Sequence, residues 1–385
     1  MKIHPPRITH ENDQVVISAL VESQRLGRQN LWYSLDRHFS ALICNSSDAF
    51  LAALLIVAMA DGEDVFLEGP VSARLFYGLS HRYQHILRCE IPWLKGIKVV
   101  ASALESRPPA GAGVATGFSA GVDSFCVLAD HFYAPVPEGF KVSHLLFSNV
   151  GSHGPSEAGE RLFEARYSHA RNVARKLGLP MIKVNSNLDS FYADYGARLD
   201  FEQTHTPRSA SVALLLQTGI RRYMYASAYS YPDIRVSPTR SVATSDPISL
   251  PLLATDALDV LSVGSEYTRF EKTLRVAELA DSHDSLNVCV NSPDGRNCSQ
   301  CWKCMRTLLT LEIAGLAQRY IKSFDMAIYH RHRDRYISTI LCNPDPLLRE
   351  VREFAKQRGF RFPLISRVIA GGRSLWPPRH PKMVD

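Results

Sequence analysis

Residues 119–124, which read Ser-Ala-Gly-Val-Asp-Ser, have the residue types of a phosphate-binding turn. A β-leaning stretch precedes them and apolar residues at helical spacing follow, so the segment predicts a strand, a tight turn at Gly121 and a helix. Such a turn presents backbone N–H groups and the positive end of a helix to an anion. The hydroxyls of Ser119 and Ser124 add donors, and Asp123 can brace the turn or reach a metal ion held by the phosphates. An ordinary strand-to-helix turn with a serine N-cap is the alternative interpretation.

Four thiols near the carboxyl end have metal-ligand spacing. Cys289, Cys298, Cys301 and Cys304 form the pattern Cx8Cx2Cx2C. Two residues between thiols let a turn present both sulfurs to one tetrahedral ion, and four thiolates close its coordination shell, so the spacing predicts a structural Zn²⁺ site. Disulfides and an iron–sulfur cluster are the alternatives. The other four cysteines lie in apolar stretches and are expected to be buried: Cys44, Cys89, Cys126 and Cys342.

The turn resembles the SGGxDS loop of the PP-loop ATP pyrophosphatases. Enzymes of this superfamily cleave ATP between the α and β phosphates and hold the pyrophosphate on this loop. The resemblance implies that the chain binds ATP with Mg²⁺, and that six residues contact the nucleotide phosphates: Ser119, Ala120, Gly121, Val122, Asp123 and Ser124. Ala120 stands where the family loop has glycine, which places a methyl group near the phosphates or at a position that requires a positive φ.

With the four cysteines included, residues 114–315 resemble the 7-cyano-7-deazaguanine synthase family, which are PP-loop ligases with a four-cysteine zinc site of this spacing. Pro207-Arg208 resembles the family's Pro-Arg-Asn, and residues 268–272 resemble its Thr-Lys-Ala-Glu-Ile stretch. The resemblance implies a catalytic and phosphate-binding set of four residues: Asp123, Arg208, Arg269 and Lys272. Without the resemblance, each of the three cations is interpreted as a surface charge.

Three features depart from the synthases, namely an N-terminal extension, Ala120 and a longer helical tail. They indicate a paralogue with another substrate. Synthase-like proteins with added N-terminal segments also occur in bacterial antiphage defence clusters, where a protein can be the acceptor. The resemblance therefore implies ATP and a carboxylated acceptor, either a small molecule or a protein, as the ligands.

Strand and helix patterns alternate from residue 114 onward, which is typical of βαβ units and a parallel sheet. Ligands of such sheets bind beyond the carboxyl ends of the strands, so we expect the loops there to share a crevice, with adenine on the backbone near Phe147 and Ser148. We therefore expect an α/β fold with four parts: a small N-terminal α/β domain at 1–105, a linker at 106–113, a doubly wound, mainly parallel PP-loop domain with the zinc site at 114–322, and a helical tail at 323–385.

The composition is that of a globular enzyme, with 45% hydrophobic and 21% charged residues over 385 positions. The longest apolar run, residues 49–60, is too short to cross a bilayer, and the first residues lack the apolar core of a signal peptide. We therefore expect a cytoplasmic protein without a membrane partner. The net charge of +6 comes from scattered Lys and Arg residues, which does not indicate nucleic-acid binding but leaves it open.

Together these features predict an ATP-dependent ligase that forms a C–N bond. A carboxylate or carbonyl oxygen attacks the α phosphate, pyrophosphate leaves, and ammonia or an amine then displaces AMP. A tRNA-modifying PP-loop ligase and a non-catalytic nucleotide-binding assembly subunit are the alternatives. Association as a homodimer or with a partner protein is compatible with each of them.

Overall fold

The computed structural model describes residues 1–375, so the last ten residues of the expected tail lie outside the described range. The chain folds into two compact units. The first comprises Met1–Ser119 with Val127–Glu266, and the second comprises Ala120–Cys126 with the chain from Tyr267 onward. Within residues 1–375, every helix is too short or too polar to span a membrane.

The first unit is built on one sheet of 11 strands. The strands are β1 (Lys2–Ile3), β2 (Arg7–Glu11), β3 (Gln14–Ser23), β4 (Gly27–Asp36), β5 (Val65–Ser72), β6 (Val99–Glu105), β7 (Gly113–Gly117), β8 (His144–Ser148), β9 (Met181–Ser186), β10 (Ile220–Ala226) and β11 (Asp259–Val263). Six of the ten strand pairings are parallel, which confirms the α/β class with a mixed, mostly parallel sheet.

Five parallel strands lie side by side in the order β11-β10-β7-β8-β9. This order places β7, the first of the five along the chain, beside β10, the fourth, so the strand order reverses between them. In open α/β sheets such a switch point forms a crevice beyond the carboxyl ends of the strands, and ligands bind there. The chain leaves β7 at this switch point and enters residues 119–124.

The N-terminal strands belong to the same sheet. β4 pairs antiparallel with β9 through residues 33–35 and 184–186, and β3, β1, β5 and β6 continue the sheet beyond β4. The segment with linker composition, residues 106–113, connects the edge strand β6 to β7 within the first unit. The expected boundary at this segment therefore lies inside one sheet.

Seven helices lie between these strands along the chain: α1 (Asp48–Asp61), α2 (Ala73–Gly78), α3 (Gln84–Glu90), α4 (Val122–Leu128), α5 (Glu157–Leu177), α6 (His205–Leu215) and α7 (Asp246–Ser249). α1 and α5 each end at a glycine, because Gly62 and Gly178 adopt left-handed φ values of 75° and 68° immediately after them. α5 begins at an N-cap serine, since Ser156 Oγ accepts a hydrogen bond from Gly159 N–H.

The second unit is helical in its described part. Its helices are α8 (Arg269–Ala277), α9 (Ala280–His283), α10 (Trp302–Ile313), α11 (Met326–Cys342), α12 (Pro346–Gln357) and α13 (Leu364–Leu375). Four of them share an apolar core that includes Phe270, Leu309, Ile337, Ile340, Val351 and Phe354. α11, α12 and α13 confirm the helical tail expected beyond residue 323.

All eight cysteines lie in the described part of the chain and are reduced. Cys44 and Cys126 are buried as expected. The expectation is wrong for Cys89 and Cys342, which are exposed. Cys89 lies off the buried stripe of α3, and Cys342 is the last residue of α11.

Candidate functional site

The turn after β7 contains a residue with a positive φ, which is one of the two possibilities that Ala120 raised in the sequence. Ala120 is fully buried and has a φ of 60°, where an L-residue is strained by about 1–2 kcal/mol. Its carbonyl oxygen accepts a hydrogen bond from Asn287 N–H at 2.8 Å. Ser124 Oγ donates to the carbonyl oxygen of Gly121 at 3.0 Å, so this hydroxyl braces the turn. Of the two serines expected to meet phosphate, Ser119 is the exposed one.

Two cations of α8 hold Asp123. Arg269 Nη1 donates to Asp123 Oδ1 at 2.5 Å, and Lys272 Nζ lies 3.5 Å from the same oxygen. The side chains of Arg269 and Lys272 are 8% and 2% exposed, whereas that of Asp123 is 33% exposed. Burial alone would raise the pKa of Asp123, but the charges of Arg269 and Lys272 outweigh burial and lower it. The structure thus brings together Asp123, Arg269 and Lys272, which are three of the four residues that the resemblance to the synthase family selected.

The first turn of α8 is fixed at its N-terminus, which positions both cations. Thr268 and Glu271 form a capping box, in which each side chain accepts the backbone N–H of the other residue. Glu350 Oε2 accepts the backbone N–H of Arg269 at 2.6 Å. Because Arg269 and Lys272 are three residues apart, the helix presents them on one side. Burial lowers the pKa of Lys272, although the charge of Asp123 opposes this effect.

Arg306 of α10 is a third buried cation of this cluster, and the sequence did not reveal it. The residue is 5% exposed, and its guanidinium lies 5.0 Å from the centroid of the Trp302 ring. Arg306 Nε is buried and has no hydrogen-bond partner among the described residues. Burial and then the charge of Arg269 lower the pKa of Arg306 to about 10. The available sequence signal was a charged residue inside a helix whose neighbours, such as Met305, Leu308 and Leu309, are mostly apolar.

Arg208 lies in the first unit, where its contacts are structural. It is 1% exposed, and its Nη1 donates to the Val150 carbonyl and to Asp189 Oδ1, both at 3.0 Å. Its guanidinium carbon lies 3.6 Å from the centroid of the Tyr192 ring. Arg208 therefore ties the segment after β8 to Asp189, and its expected role toward an anionic acceptor stays a prediction.

Phe147 and Ser148 end β8. The Phe147 ring is 5% exposed and stacks on Phe163 with 5.4 Å between the ring centroids. This side chain belongs to the packing of the first unit. Adenine binding on the backbone near Ser148 stays a prediction.

Two buried carboxyl groups lie beside the segment that contains Arg208. Thr206 Oγ1 donates to Asp246 Oδ1 at 2.7 Å. Among the described residues, Asp246 Oδ2 and Glu90 Oε1 are buried without a hydrogen-bond partner. Burial raises the pKa of Asp246 to about 7, and burial together with the charge of Asp246 raises the pKa of Glu90 to about 8. Both groups therefore hold protons more tightly in the folded chain than in the unfolded chain.

We expect the free energy of unfolding to fall as the pH rises, because the pKa values of Asp246 and Glu90 are both raised in the folded chain. A raised folded pKa contributes stability that is complete below the unfolded values near pH 4 and is lost as the pH rises through about 7 to 8. The loss from Asp246 alone is on the order of 4 kcal/mol. In Asp246→Asn, urea unfolding measured from pH 4 to 9 should show a flatter pH dependence. Asp256→Asn, at an exposed position, is the control, and an equally steep profile in Asp246→Asn would contradict the prediction.

The four predicted metal ligands lie together in the second unit. Their sulfur atoms all lie within 4.8 Å of one another, and Cys289, Cys301 and Cys304 are buried. A tetrahedral ion with Zn–S distances of about 2.3 Å separates its sulfurs by about 3.8 Å, and Cys289 Sγ lies 3.8 Å from Cys301 Sγ. Ser299, with a φ of 57°, turns the chain between Cys298 and Cys301. The cluster can therefore hold a metal ion such as Zn²⁺.

The thiols also have the electrostatics of a cation site. Hydrogen bonds with Cys301 and Cys304 lower the pKa of Cys289, whereas hydrogen bonds with Cys289 and Cys301 raise that of Cys304. Burial raises the pKa of Cys298 to about 11. The thiolate of Cys289 is thus favoured, while Cys298 and Cys304 resist ionisation. A divalent cation supplies the charge that lets all four ionise together.

Comparison with known proteins gives no relative for this chain: no family model, no curated protein and no solved structure matches it. The chemistry of the site itself is therefore the guide to function.

Proposed function

We propose that the chain is an ATP-dependent ligase that binds the β and γ phosphates of ATP at residues 119–124 and transfers AMP to an acceptor carboxylate. The cation cluster of Arg269, Lys272 and Arg306 carries the proposal. These three buried cations lie among the carboxylates of Asp123, Glu350 and Asp345. A buried guanidinium is costly unless its N–H groups find acceptors, and an anion from solution can supply the acceptor that Arg306 Nε lacks among the described residues.

Arg306 is the observation on which the proposal mainly depends. The Arg306 guanidinium is buried, and its Nε has no hydrogen-bond partner within residues 1–375, so it retains its desolvation cost unless a ligand binds to it. Phosphate oxygens suit a guanidinium because they accept charge-assisted hydrogen bonds in a fork geometry. The switch-point position of β7, from which residues 119–124 follow, supports the same ligand class.

The residues of the cluster have separate roles in the proposed reaction. Arg269 and Lys272 hold Asp123 and stabilise the departing pyrophosphate, together with Arg306. Mg²⁺ bound with the nucleotide neutralises phosphate charge, and the exposed part of Asp123 is the carboxylate of the turn that can hold it. Residues 119–124 contain no Lys, unlike the phosphate loop of kinases. Holding the β and γ phosphates as one leaving unit keeps the α phosphorus open to in-line attack.

The identity of the products tests the proposed reaction. The full chain is incubated with Mg²⁺, ammonia, a panel of carboxylates that includes carboxylated deazaguanine, and ATP labelled at either the α or the γ phosphate. We expect AMP and pyrophosphate, formed only when an accepted acid is present. ADP and phosphate would contradict adenylation. AMP formed only with another acid would keep the mechanism and exclude deazaguanine as the acceptor.

A tRNA acceptor is the second candidate, and the charge distribution favours it. The second unit holds 20 of the 44 Lys and Arg residues but only 13 of the 38 Asp and Glu residues. A polyanion that binds to such a surface releases counterions, so its affinity falls steeply with salt. tRNA binding measured between about 50 and 200 mM salt separates the candidates, because a salt-independent or absent association excludes tRNA as the acceptor.

A further inference from the structure

A second ligand site is present in the first unit, at the junction of β3, β4 and β9. We propose that it binds a small molecule carrying a phosphate or similar dianion on a ring-sized body. The cleft has a volume of about 540 Å³, within the range of small-molecule sites. It shares no residue with the Asp123 cluster. We call it the β9 cleft and define it by Gln14, Asp36, Tyr167, Arg171, Arg175 and Lys183.

The floor of the β9 cleft is a polar sheet face. β4 and β9 alternate, and their apolar residues, such as Tyr33, Leu35 and Val184, are buried in the core. The opposite face carries polar residues that the strand register places side by side: Gln14 opposite Asp36, and Ser34 opposite Asn185. A sheet face that is sealed by a helix is normally apolar. Polar residues on the sheet face beneath an open cavity therefore indicate that this face binds a ligand, and not that a helix packs poorly against it.

The helical wall of the β9 cleft is cationic. Tyr167, Arg171 and Arg175 are spaced by four residues, so α5 presents them along one face. Lys183 projects from the floor and pairs with Glu164, which does not line the cleft. Neither Arg171 nor Arg175 forms an ion pair with any of the described residues, although Arg171 lies 6.0 Å from the Tyr167 ring.

The charges of the residues that line the β9 cleft favour an anionic ligand. Three cationic side chains line the β9 cleft, and Asp36 is its one carboxylate among the described residues. Two arginines on successive turns of one helix can hold two oxygens of the same phosphate. Tyr167, Phe39 and Met181 supply an apolar surface for a ring beside it. The ligand class is therefore a ring-bearing phosphate monoester or its carboxylate analogue.

Phenyl phosphate is the probe, titrated calorimetrically into the full chain, with inorganic phosphate and phenol as separate arms. We expect phenyl phosphate to bind more tightly than either fragment. The double variant Arg171→Gln, Arg175→Gln should weaken its binding by at least about thirtyfold, since each charge-assisted hydrogen bond contributes roughly tenfold. The matched control is Arg161→Gln with Lys176→Gln, which removes two exposed charges from the same helix outside the β9 cleft.

Several results would overturn the proposal. Absence of phenyl phosphate binding, unchanged binding in the Arg171, Arg175 variant, or an equal loss in the control pair would exclude a specific anion site. Equal affinities for phenyl phosphate and inorganic phosphate would exclude the ring surface. Arg306→Met separates this site from the proposed ATP site, because it should leave phenyl phosphate binding to the β9 cleft unchanged.

Discussion

Replacing Cys301 by alanine is expected to abolish metal binding at the four-cysteine cluster and to unfold the second unit. Cys301 is the N-cap residue of α10, and α10 contributes Leu309 and Ile313 to the apolar core of that unit. Structural zinc sites contribute on the order of 10 kcal/mol of apparent binding energy, which is comparable with the whole stability of a domain. Elemental analysis, circular dichroism and limited proteolysis measure the loss.

Cys342→Ala is the matched control, because it removes an exposed thiol of the same unit outside the cluster. This variant should keep one metal ion per chain and an unchanged melting temperature. A soluble Cys301→Ala protein without metal but with the stability of the parent chain would show that the cluster has no structural role.

Replacing Arg306 by methionine is expected to stabilise the chain while it weakens ATP binding. Methionine fills a similar volume without a charge, so it removes the desolvation cost of a buried guanidinium whose Nε has no hydrogen-bond partner in the described part of the chain. The gain should be about 1–3 kcal/mol in the free energy of unfolding. ATP affinity should fall at least about tenfold, because the variant loses a charge-assisted contact with phosphate.

Denaturant unfolding with and without ATP measures both effects on the same samples. Lys322→Met is the control, since it removes an exposed cation of the second unit and should change neither quantity by much. A less stable Arg306→Met protein with unaltered ATP affinity would indicate that Arg306 has a structural role instead.

Features that depend on local sequence were predicted well. Gly62 and Gly178 end α1 and α5. Such C-caps can be recognised from the sequence alone, because a glycine that adopts a left-handed φ depends only on its immediate neighbours in the chain. The cysteine spacing predicted a cluster because all four ligands lie within residues 289–304 and need little of the rest of the fold to come together. The short match at residues 268–272 also selected Arg269 and Lys272, and both contact Asp123.

Features that depend on distant pairing were not visible in the sequence. The join between β4 and β9 brings together residues about 150 positions apart through backbone hydrogen bonds, which leave no trace in local composition. Arg306 was missed because its charge matters only when α10 packs it beside Arg269. Arg208 was expected at a ligand, but its burial against Tyr192 and Asp189 depends on tertiary contacts.

Competition between ATP and pyrophosphate tests the central claim most directly. The cation cluster is proposed to hold the β and γ phosphates, so pyrophosphate should displace ATP from the full chain. AMP, which lacks these phosphates, should bind at least about a hundredfold more weakly than ATP, as two lost charge-assisted contacts imply. Calorimetric titration with each ligand in the presence of Mg²⁺ gives the affinities. Equal affinities for ATP and AMP, with no displacement of ATP by pyrophosphate, would contradict the account.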